Sequence, residues 1–174
     1  MPRKNPSSPD STAVRPDGLV ATCLLNPNGI LDAKVTATLR AARKTMPLWA
    51  REITETSEVQ TLEGRVVAES GDYLCRGIHG EQWPQKADKL LQKYIASGEV
   101  DVDGYRRFDP KPNARPVEVA QIPHSFQIRA QWGVLSGKAH DYVVRSMADP
   151  SDIWVVDRSI FETSYTIQAA EQQE

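Results

Sequence analysis

The sequence predicts an α+β protein made of two tandem, small, β-rich repeats, each followed by a short helix, behind an N-terminal strand and helix. Three observations predict this fold class. The pattern Asp-Tyr-x-x-Arg occurs twice, beginning at Asp72 and Asp141, 69 positions apart. Each copy also has a Trp followed 11 positions later by a Tyr. Short apolar runs separated by turn residues at close intervals indicate a small sheet or a partly open barrel.

The two copies share one register from Pro47 and Pro116 up to the arginines of the motif, without a gap. Past the arginines the interval grows from 69 to 71, so two residues are inserted before the second Trp. Loops tolerate changes in length, and we therefore expect a loop there. Residue types that recur at matching positions are predicted to have the same structural role in both copies: Gly64 and Gly133, Asp72 and Asp141, Tyr73 and Tyr142, Tyr94 and Tyr165.

Composition divides the chain into six predicted segments. The first 17 residues are rich in Pro, Ser and charge, and such a segment cannot bury enough apolar surface to offset the entropy of ordering. The predicted segments are a disordered tail at 1–17, a strand and helix at 18–46, the first repeat at 44–98, a connector at 99–112, the second repeat at 113–168, and a frayed tail at 169–174.

The N-terminal segment is predicted to hold one strand and one helix. Residues 18–25 are apolar with β-branched members, which favours a strand, and the residues 26–29, Asn-Pro-Asn-Gly, are typical of a turn. Residues 30–45 have apolar side chains at helical spacing, which predicts a helix that ends before Pro47. Its other face is basic, and it either contacts an acidic partner or is an ordinary solvated face. The basic residues are Lys34, Arg40, Arg43 and Lys44.

Each repeat is predicted to be a meander of short strands that ends in a helix. The first repeat has predicted strands at 48–53, 58–62, 65–68, 73–76 and 82–83, then a helix at 87–96. The second has predicted strands at 117–121, 126–131, 133–136, 142–145 and 153–156, then a short helix that begins near Ser159. One repeat of about 55 residues would be marginally stable alone. We therefore expect the repeats to pack on each other as a pseudo-twofold pair, with residues 18–46 completing the core.

Composition also limits the classes of partner. The 174 residues carry a net charge of −2, which gives no electrostatic argument for binding nucleic acid or a membrane surface. No run approaches the roughly 20 apolar residues needed to cross a bilayer, and the N-terminus lacks the apolar core of a secretory signal. Cys23 and Cys75 have no metal-type spacing and are expected to be free thiols. The expected compartment is the cytoplasm.

The motif of the first copy resembles a known family. Residues 71–77 read Gly-Asp-Tyr-Leu-Cys-Arg-Gly, residues 80–84 read Gly-Glu-Gln-Trp-Pro, and a helix with a Tyr follows. This pattern resembles the small PGDYG-type proteins of bacteria and phages, over roughly residues 44–96 and again 113–167. The chain departs from the family pattern at Ser70 and Ala139, where Pro is expected, and at His140, where Gly is expected. The second copy also lacks Gly-Glu before its Trp. The resemblance implies the architecture and no activity.

Two pairs of repeated residues are candidates for ligand binding: Arg76 and Arg145, with Trp83 and Trp154. If the copies are related by a pseudo-twofold axis, the arginines could lie symmetrically near the interface. Together with the indole rings they could clamp an anionic or planar, nucleotide-like ligand in a cleft between the repeats, by bidentate hydrogen bonds and stacking. The alternative is that these residues maintain the core of each repeat.

Catalytic chemistry has weaker support. His79 and Glu81 lie on a Gly-flanked stretch beside Trp83 and could serve in acid–base catalysis, as in a hydrolase. Two ligands do not make a metal site, and His124 and His140 have no motif spacing to them. We therefore predict no catalytic residue, metal or cofactor. The leading hypothesis is a non-enzymatic interaction module whose sheet edges or basic helix contact another protein.

Overall fold

The structure is a computed structural model that describes residues 22–26, 29–130 and 133–169, and every structural statement below concerns these residues. The predicted tail at 1–17 and all but one residue of the predicted tail at 169–174 lie outside the described residues. The strands are β1 (Thr22–Cys23), β2 (Arg40–Lys44), β3 (Leu48–Glu52), β4 (Ser57–Gln60), β5 (Arg65–Ala68), β6 (Tyr73–Arg76), β7 (Gln82–Gln85), β8 (Tyr94–Val100), β9 (Arg106–Pro110), β10 (Val117–Gln121), β11 (Phe126–Ala130), β12 (Gly133–Gly137), β13 (Tyr142–Ser146), β14 (Ile153–Val156) and β15 (Tyr165–Ile167). The helices are α1 (Ala33–Thr36), α2 (Ala87–Lys93) and α3 (Arg158–Ser164).

The strands form three open sheets of five strands each. The first sheet has the order β7-β6-β3-β9-β8, the second has the order β14-β13-β10-β2-β15, and the central sheet has the order β1-β11-β12-β5-β4. All pairs are antiparallel except β1 with β11. The protein is therefore mostly β-sheet with short helices, and its described strands form no closed barrel. None of the described helices combines the length and the apolar character that a membrane span requires.

The first and second sheets have corresponding strand orders. Strands β3, β6 and β7 lie side by side in the first sheet, and β10, β13 and β14 lie side by side in the second. A helix and a further strand follow in each case, α2 and β8 or α3 and β15. The two hairpins left over, β4-β5 and β11-β12, meet through β5 and β12 in the central sheet.

The predicted helix at 30–45 is wrong over most of its length. Only Ala33–Thr36 is helical, and Arg40–Lys44 is the strand β2, which is hydrogen-bonded between β10 and β15. Two threonine hydroxyls near the end of α1 bond to backbone carbonyl groups, Thr36 to Asp32 and Thr38 to Val35. The small Ala42 of β2 is fully buried, between the second sheet and α3. Helical spacing alone could not reveal that two distant strands would take up this segment.

The predicted connector at 99–112 contains the end of β8 and all of β9 as regular structure, and the predicted helix at 87–96 ends earlier, at Lys93. Strand β8 continues from α2, and β9 folds back beside it between β8 and β3. The turn is closed by the Asp101 carboxylate, which accepts the N–H groups of Asp103 and Tyr105, each at 2.9 Å. Phe108 on β9 is 4% exposed. Tyr105, also 4% exposed, and Phe108 are the two aromatic residues that anchor the segment.

Three apolar clusters stabilise these layers. The largest lies between the central and second sheets and includes Phe126 and Ile128, both fully buried. A second lies between the second sheet and α3, where the rings of Tyr142, Phe161 and Tyr165 stack with centroid distances of 3.8 and 4.8 Å. The third lies between the first sheet and α2. Each five-stranded outer sheet is thus covered by its own helix.

Candidate functional site

The two arginines predicted to bind a ligand are each paired with a carboxylate. The Nη2 atom of Arg76 lies 3.1 Å from Asp101 Oδ2, and its guanidinium lies 4.3 Å from the centroid of the Tyr105 ring. The Nε atom of Arg145 donates to Glu118 Oε2 at 2.8 Å. Both cations are therefore neutralised within their own sheet.

The arginines and tryptophans lie on opposite faces of their sheets. Cys75 is the cross-strand partner of Trp83, so these two side chains share a face. Successive residues of a strand point to opposite faces, so Arg76 lies on the other face from Trp83. In the second sheet Val144 is the cross-strand partner of Trp154. Arg145 follows Val144, so it too lies on the opposite face from the tryptophan. The structure does not bring these residues together into the predicted clamp, and only the cross-strand register could have shown this.

The two tryptophans instead lie where the first and second sheets meet, each with a lysine over its ring. The Lys44 ammonium lies 4.8 Å from the centroid of the Trp83 ring, 5.5 Å from that of Tyr94 and 5.9 Å from that of Tyr165. We call these four residues the Lys44 cage. Lys44 belongs to the second sheet, whereas Trp83 belongs to the first, so the cage joins the two sheets. Lys93 lies 4.7 Å from the Trp154 ring centroid.

Further polar contacts join the first sheet and α2, which we call the first half, to the second sheet and α3, the second half. Lys89 on α2 lies 3.0 Å from Asp152, which precedes β14. The Nε2 atom of His79 lies 2.9 Å from the Thr163 hydroxyl on α3. Each half thus extends one loop onto the helix of the other half. The contacts make this junction a structural seam.

Burial shifts the pKa values of the groups at the seam. It lowers the pKa of Lys44 to about 8 and raises that of the Cys75 thiol to about 12, each against a weaker opposing effect of the other group's charge. Burial also raises the pKa of Tyr165 to about 12 and that of Tyr94 well above its usual value. At neutral pH the cage therefore holds a cation among uncharged rings and a protonated thiol. An amine in this state is a structural contact, since cation–π attraction replaces part of its lost hydration.

The Lys44 cage predicts a specific dependence of stability on pH. Because the pKa of Lys44 is lower in the folded chain than in the unfolded chain, the unfolded chain binds more protons between about pH 8 and pH 10.5. Lys44 should therefore contribute a rise of about 1 kcal/mol in the free energy of unfolding from pH 8 to pH 9. From about pH 8 upward the raised pKa of Cys75 acts in the opposite direction and increasingly offsets this rise, because the thiol ionises earlier in the unfolded chain.

Chemical denaturation at pH 7, 8 and 9 would measure this effect, and Lys44→Met is the matched variant. It keeps an unbranched side chain among the rings and removes the titrating amine. We expect the rise in its unfolding free energy over the same interval to be absent or much smaller, because only Lys93, whose pKa burial also lowers, and Cys75 still titrate at the seam. A rise of the same size in Lys44→Met would show that another group is responsible.

His79 and Glu81, the candidates for acid–base catalysis, make hydrogen bonds that hold a loop in place. The Glu81 carboxylate accepts the backbone N–H of His79 at 3.0 Å and closes the loop. The Thr163 hydroxyl that contacts the His79 ring also donates to Ser159 O, at 3.0 Å. The arrangement tethers a loop to α3. The described residues contain no group of three or more His, Cys, Asp or Glu side chains that could hold a metal ion.

The predicted basic helix face does not exist as a surface. Arg43 donates from its guanidinium to Ala114 O, and Lys44 is held in its cage. Arg40 is exposed on β2 and Lys34 on α1, the latter within a helix of four residues. A contact surface that depends on these four cations together is therefore excluded.

Sequence reasoning missed two features near these residues. One is the cage role of Lys44, for which the sequence carries no signal, because the rings come from three separate segments. The other is the outer strand β8, for which the exposed apolar residues after α2 were a usable signal. No protein-family model, curated protein or solved structure matches the chain. The resemblance to PGDYG-type proteins stays a prediction.

Proposed function

We propose that the chain is a tandem duplication of one β unit, with the two copies related by a pseudo-twofold axis through the central sheet. The strand orders of the outer sheets support this, as do matching hydrogen bonds between matching strands. Thr45 N–H donates to Ser164 O and Lys111 N–H donates to Lys93 O, both at 2.8 Å. In this arrangement β2, which precedes the first copy, occupies the place in the second sheet that β9 occupies in the first.

Two further pairs of contacts support the duplication. Gly64 and Gly133 have φ values of +150° and +153°, and each packs against a carbonyl group of the opposite hairpin. Lys86 pairs with Glu69 at 2.7 Å beside the first motif. At the matching positions beside the second motif, Lys138 pairs with Asp157 at 3.0 Å, with the charges exchanged. The ion pair is thus present in both copies, although the acidic and basic residues have changed places.

For function, we propose a non-enzymatic protein-binding module that takes an extended segment of a partner along β8. Strand β8 has seven residues and lies at the outside of the first sheet. Four of the eleven large apolar side chains exposed in the described chain lie within or next to it. They are Leu91, Ile95, Val100 and Val102. A partner strand paired along the first part of β8 would cover Ile95, in the mode known as β-augmentation.

The backbone of β8 is oriented for such pairing. Lys111 N–H bonds to Lys93 O, and bonded and non-bonded pairs alternate along antiparallel strands. The next bonded pair is therefore Ile95 with Asp109, and the N–H and C=O of Ala96 point outward. A partner strand would find one donor and one acceptor there. The register shift after Ala96 limits the pairing to the first part of the strand.

The other sheet edges are less suited to this role. Strand β7 contains Pro84, which removes a donor, and β14 packs against the hairpin β11-β12. Strand β15 has three residues, and β1 has two. Strand β4, at the other edge of the central sheet, has four residues, of which only Val59 is apolar, and it packs against β7. At the seam the chain's own lysines already occupy one face of each tryptophan ring, Lys44 at Trp83 and Lys93 at Trp154. The exposed, apolar strand β8 is thus the observation that carries the proposal.

Site-specific photo-cross-linking in extract of the native host tests the proposal. A photoreactive residue is placed at Ile95 in one variant and at Thr166 in another. Thr166 is the matched control, because it lies on β15 opposite Arg43 as Ile95 lies on β8 opposite Asp109. We expect a discrete cross-linked protein from position 95 and none from position 166.

Ala96→Pro supplies the second arm. Proline removes the outward N–H and leaves the bonds between β8 and β9 intact. We expect the cross-link from position 95 to disappear in this background, with the circular dichroism spectrum unchanged. A cross-link that persists with Ala96→Pro, an equal one from position 166, or none from position 95 would contradict the proposal.

A further inference from the structure

A small pocket opens on the second sheet, where β2 diverges from β10. Its volume is about 150 Å³. It is lined by Thr38, Arg40, Val119, Ala120, Gln121, Tyr142 and Ile167. A volume of this size holds about five water molecules at ~30 Å³ each. The pocket therefore suits a ligand of about five non-hydrogen atoms.

The pocket has one cation and no acidic lining residue. Arg40 is exposed, and within the described chain it makes no ion pair. The carboxylate that acts on this pocket is that of Glu162. Burial is the main cause of the raised pKa of Tyr142, and the negative charge of Glu162 raises it further. Glu162 is itself paired with Arg158 at 3.0 Å. The local balance thus favours an anion beside Arg40.

The remaining lining combines polar and apolar groups. The Gln121 side chain uses its amide nitrogen to donate to His140 O at 3.1 Å, and Tyr142 adds a phenol. Ile167 is half-buried and supplies aliphatic surface, whereas Val119 is 1% exposed and forms only the floor. A guanidinium binds a carboxylate through two parallel hydrogen bonds, and aliphatic walls favour a short hydrocarbon tail.

The first sheet provides an internal comparison. Arg106 pairs with Ala50 on β3 as Arg40 pairs with Val119 on β10, so these arginines hold matching places. The position that matches Gln121 is Glu52, opposite Tyr73 as Gln121 is opposite Tyr142. A carboxylate at that position would repel an anion, so the pocket's chemistry is particular to the second sheet.

We infer that this pocket binds a small aliphatic monocarboxylate, with its carboxylate on Arg40 and its tail against Ile167. Propionate, with five non-hydrogen atoms, is the probe. Because the ligand is small and the pocket open, we expect a dissociation constant on the order of millimolar. This site is separate from strand β8 and does not depend on the proposed function.

Titration of the full ¹⁵N-labelled chain with sodium propionate, at constant ionic strength, tests the inference by NMR. We expect saturable shifts confined to the amides around Gln121 and Tyr142. Arg40→Gln should weaken binding at least about tenfold, and Gln121→Glu should do the same by placing the acid of the first sheet in the pocket. Arg106→Gln is the control and should leave the dissociation constant unchanged.

Several results would overturn the inference. These are shifts that do not saturate, an unchanged dissociation constant in Arg40→Gln, or equal binding of 1-propanol, which would mean an apolar cleft alone. Equal binding of inorganic phosphate would mean a general anion site. The unperturbed remainder of each variant's spectrum shows that it is folded, and Gln121→Glu, which keeps the size of the side chain, tests the charge if Arg40→Gln does not fold.

Discussion

Replacing Gly133 with alanine is expected to lower the free energy of unfolding by about 3–5 kcal/mol. Gly133 has a φ of +153°, a conformation that side chains with a Cβ rarely adopt. An added Cβ would lie 2.4 Å from the carbonyl oxygen of Arg65 on the neighbouring strand. Because that neighbour is backbone, the strands β5 and β12 would have to separate. Urea denaturation followed by intrinsic fluorescence measures the loss.

Two variants serve as controls for this prediction. Gly64→Ala should cost about the same, since its Cβ would lie 2.4 Å from the carbonyl oxygen of Val134 in the matching contact. Gly71 also has a positive φ, of +93°, but no atom lies within 4 Å of the position of its Cβ. Gly71→Ala should therefore cost only about 1 kcal/mol. If Gly133→Ala cost no more than Gly71→Ala, the close approach of the two hairpins would be contradicted.

Replacing Asp141 with alanine is expected to cost about 3 kcal/mol. Asp141 is 4% exposed, and its carboxylate accepts the N–H of Lys138 at 2.8 Å and that of Arg158 at 3.0 Å. These bonds close the turn before β13 and hold the start of α3. Alanine would leave both N–H groups without their charged acceptor. Thermal and urea denaturation of the variant measure the effect.

Asp141→Asn is the matched control, because it keeps one carbonyl oxygen and should lose about half as much. The matching residue Asp72 accepts the N–H of Glu69, also at 2.8 Å, and Asp72→Ala should be destabilising as well. A cost below about 1 kcal/mol for Asp141→Ala would show that the turn does not depend on its carboxylate. The recurring Asp of the motif would then need another explanation.

Much of the strand pattern could be predicted from the sequence because local chemistry determines it. The predicted strands at 65–68 and 73–76 coincide with β5 and β6, and those at 117–121 and 153–156 coincide with β10 and β14. In each case turn residues bound a short apolar run. Gly71 and the Asp next to it, for example, close a turn that needs a positive φ and a carboxylate acceptor.

The remainder depended on partners that are distant in sequence. Residues 40–44 form a strand because β10 and β15 lie on either side of them. The sequence of the segment itself does not indicate which strands it pairs with. The ligand clamp failed for a similar reason. Whether Arg76 shares a face with Trp83 depends on which residue of β7 lies opposite Cys75, and that register is a property of the assembled sheet.

The most direct test of the proposed binding surface follows the amide hydrogen of Ala96 in the full chain, with and without the cross-linked partner. Its N–H points away from β9, so in the free chain we expect fast exchange with solvent. In the complex we predict that this exchange slows at least about tenfold, because a partner strand accepts the hydrogen bond. The matching amide of Ile167 on β15 should not change. Exchange at Ala96 that is equally fast in the complex would contradict the account.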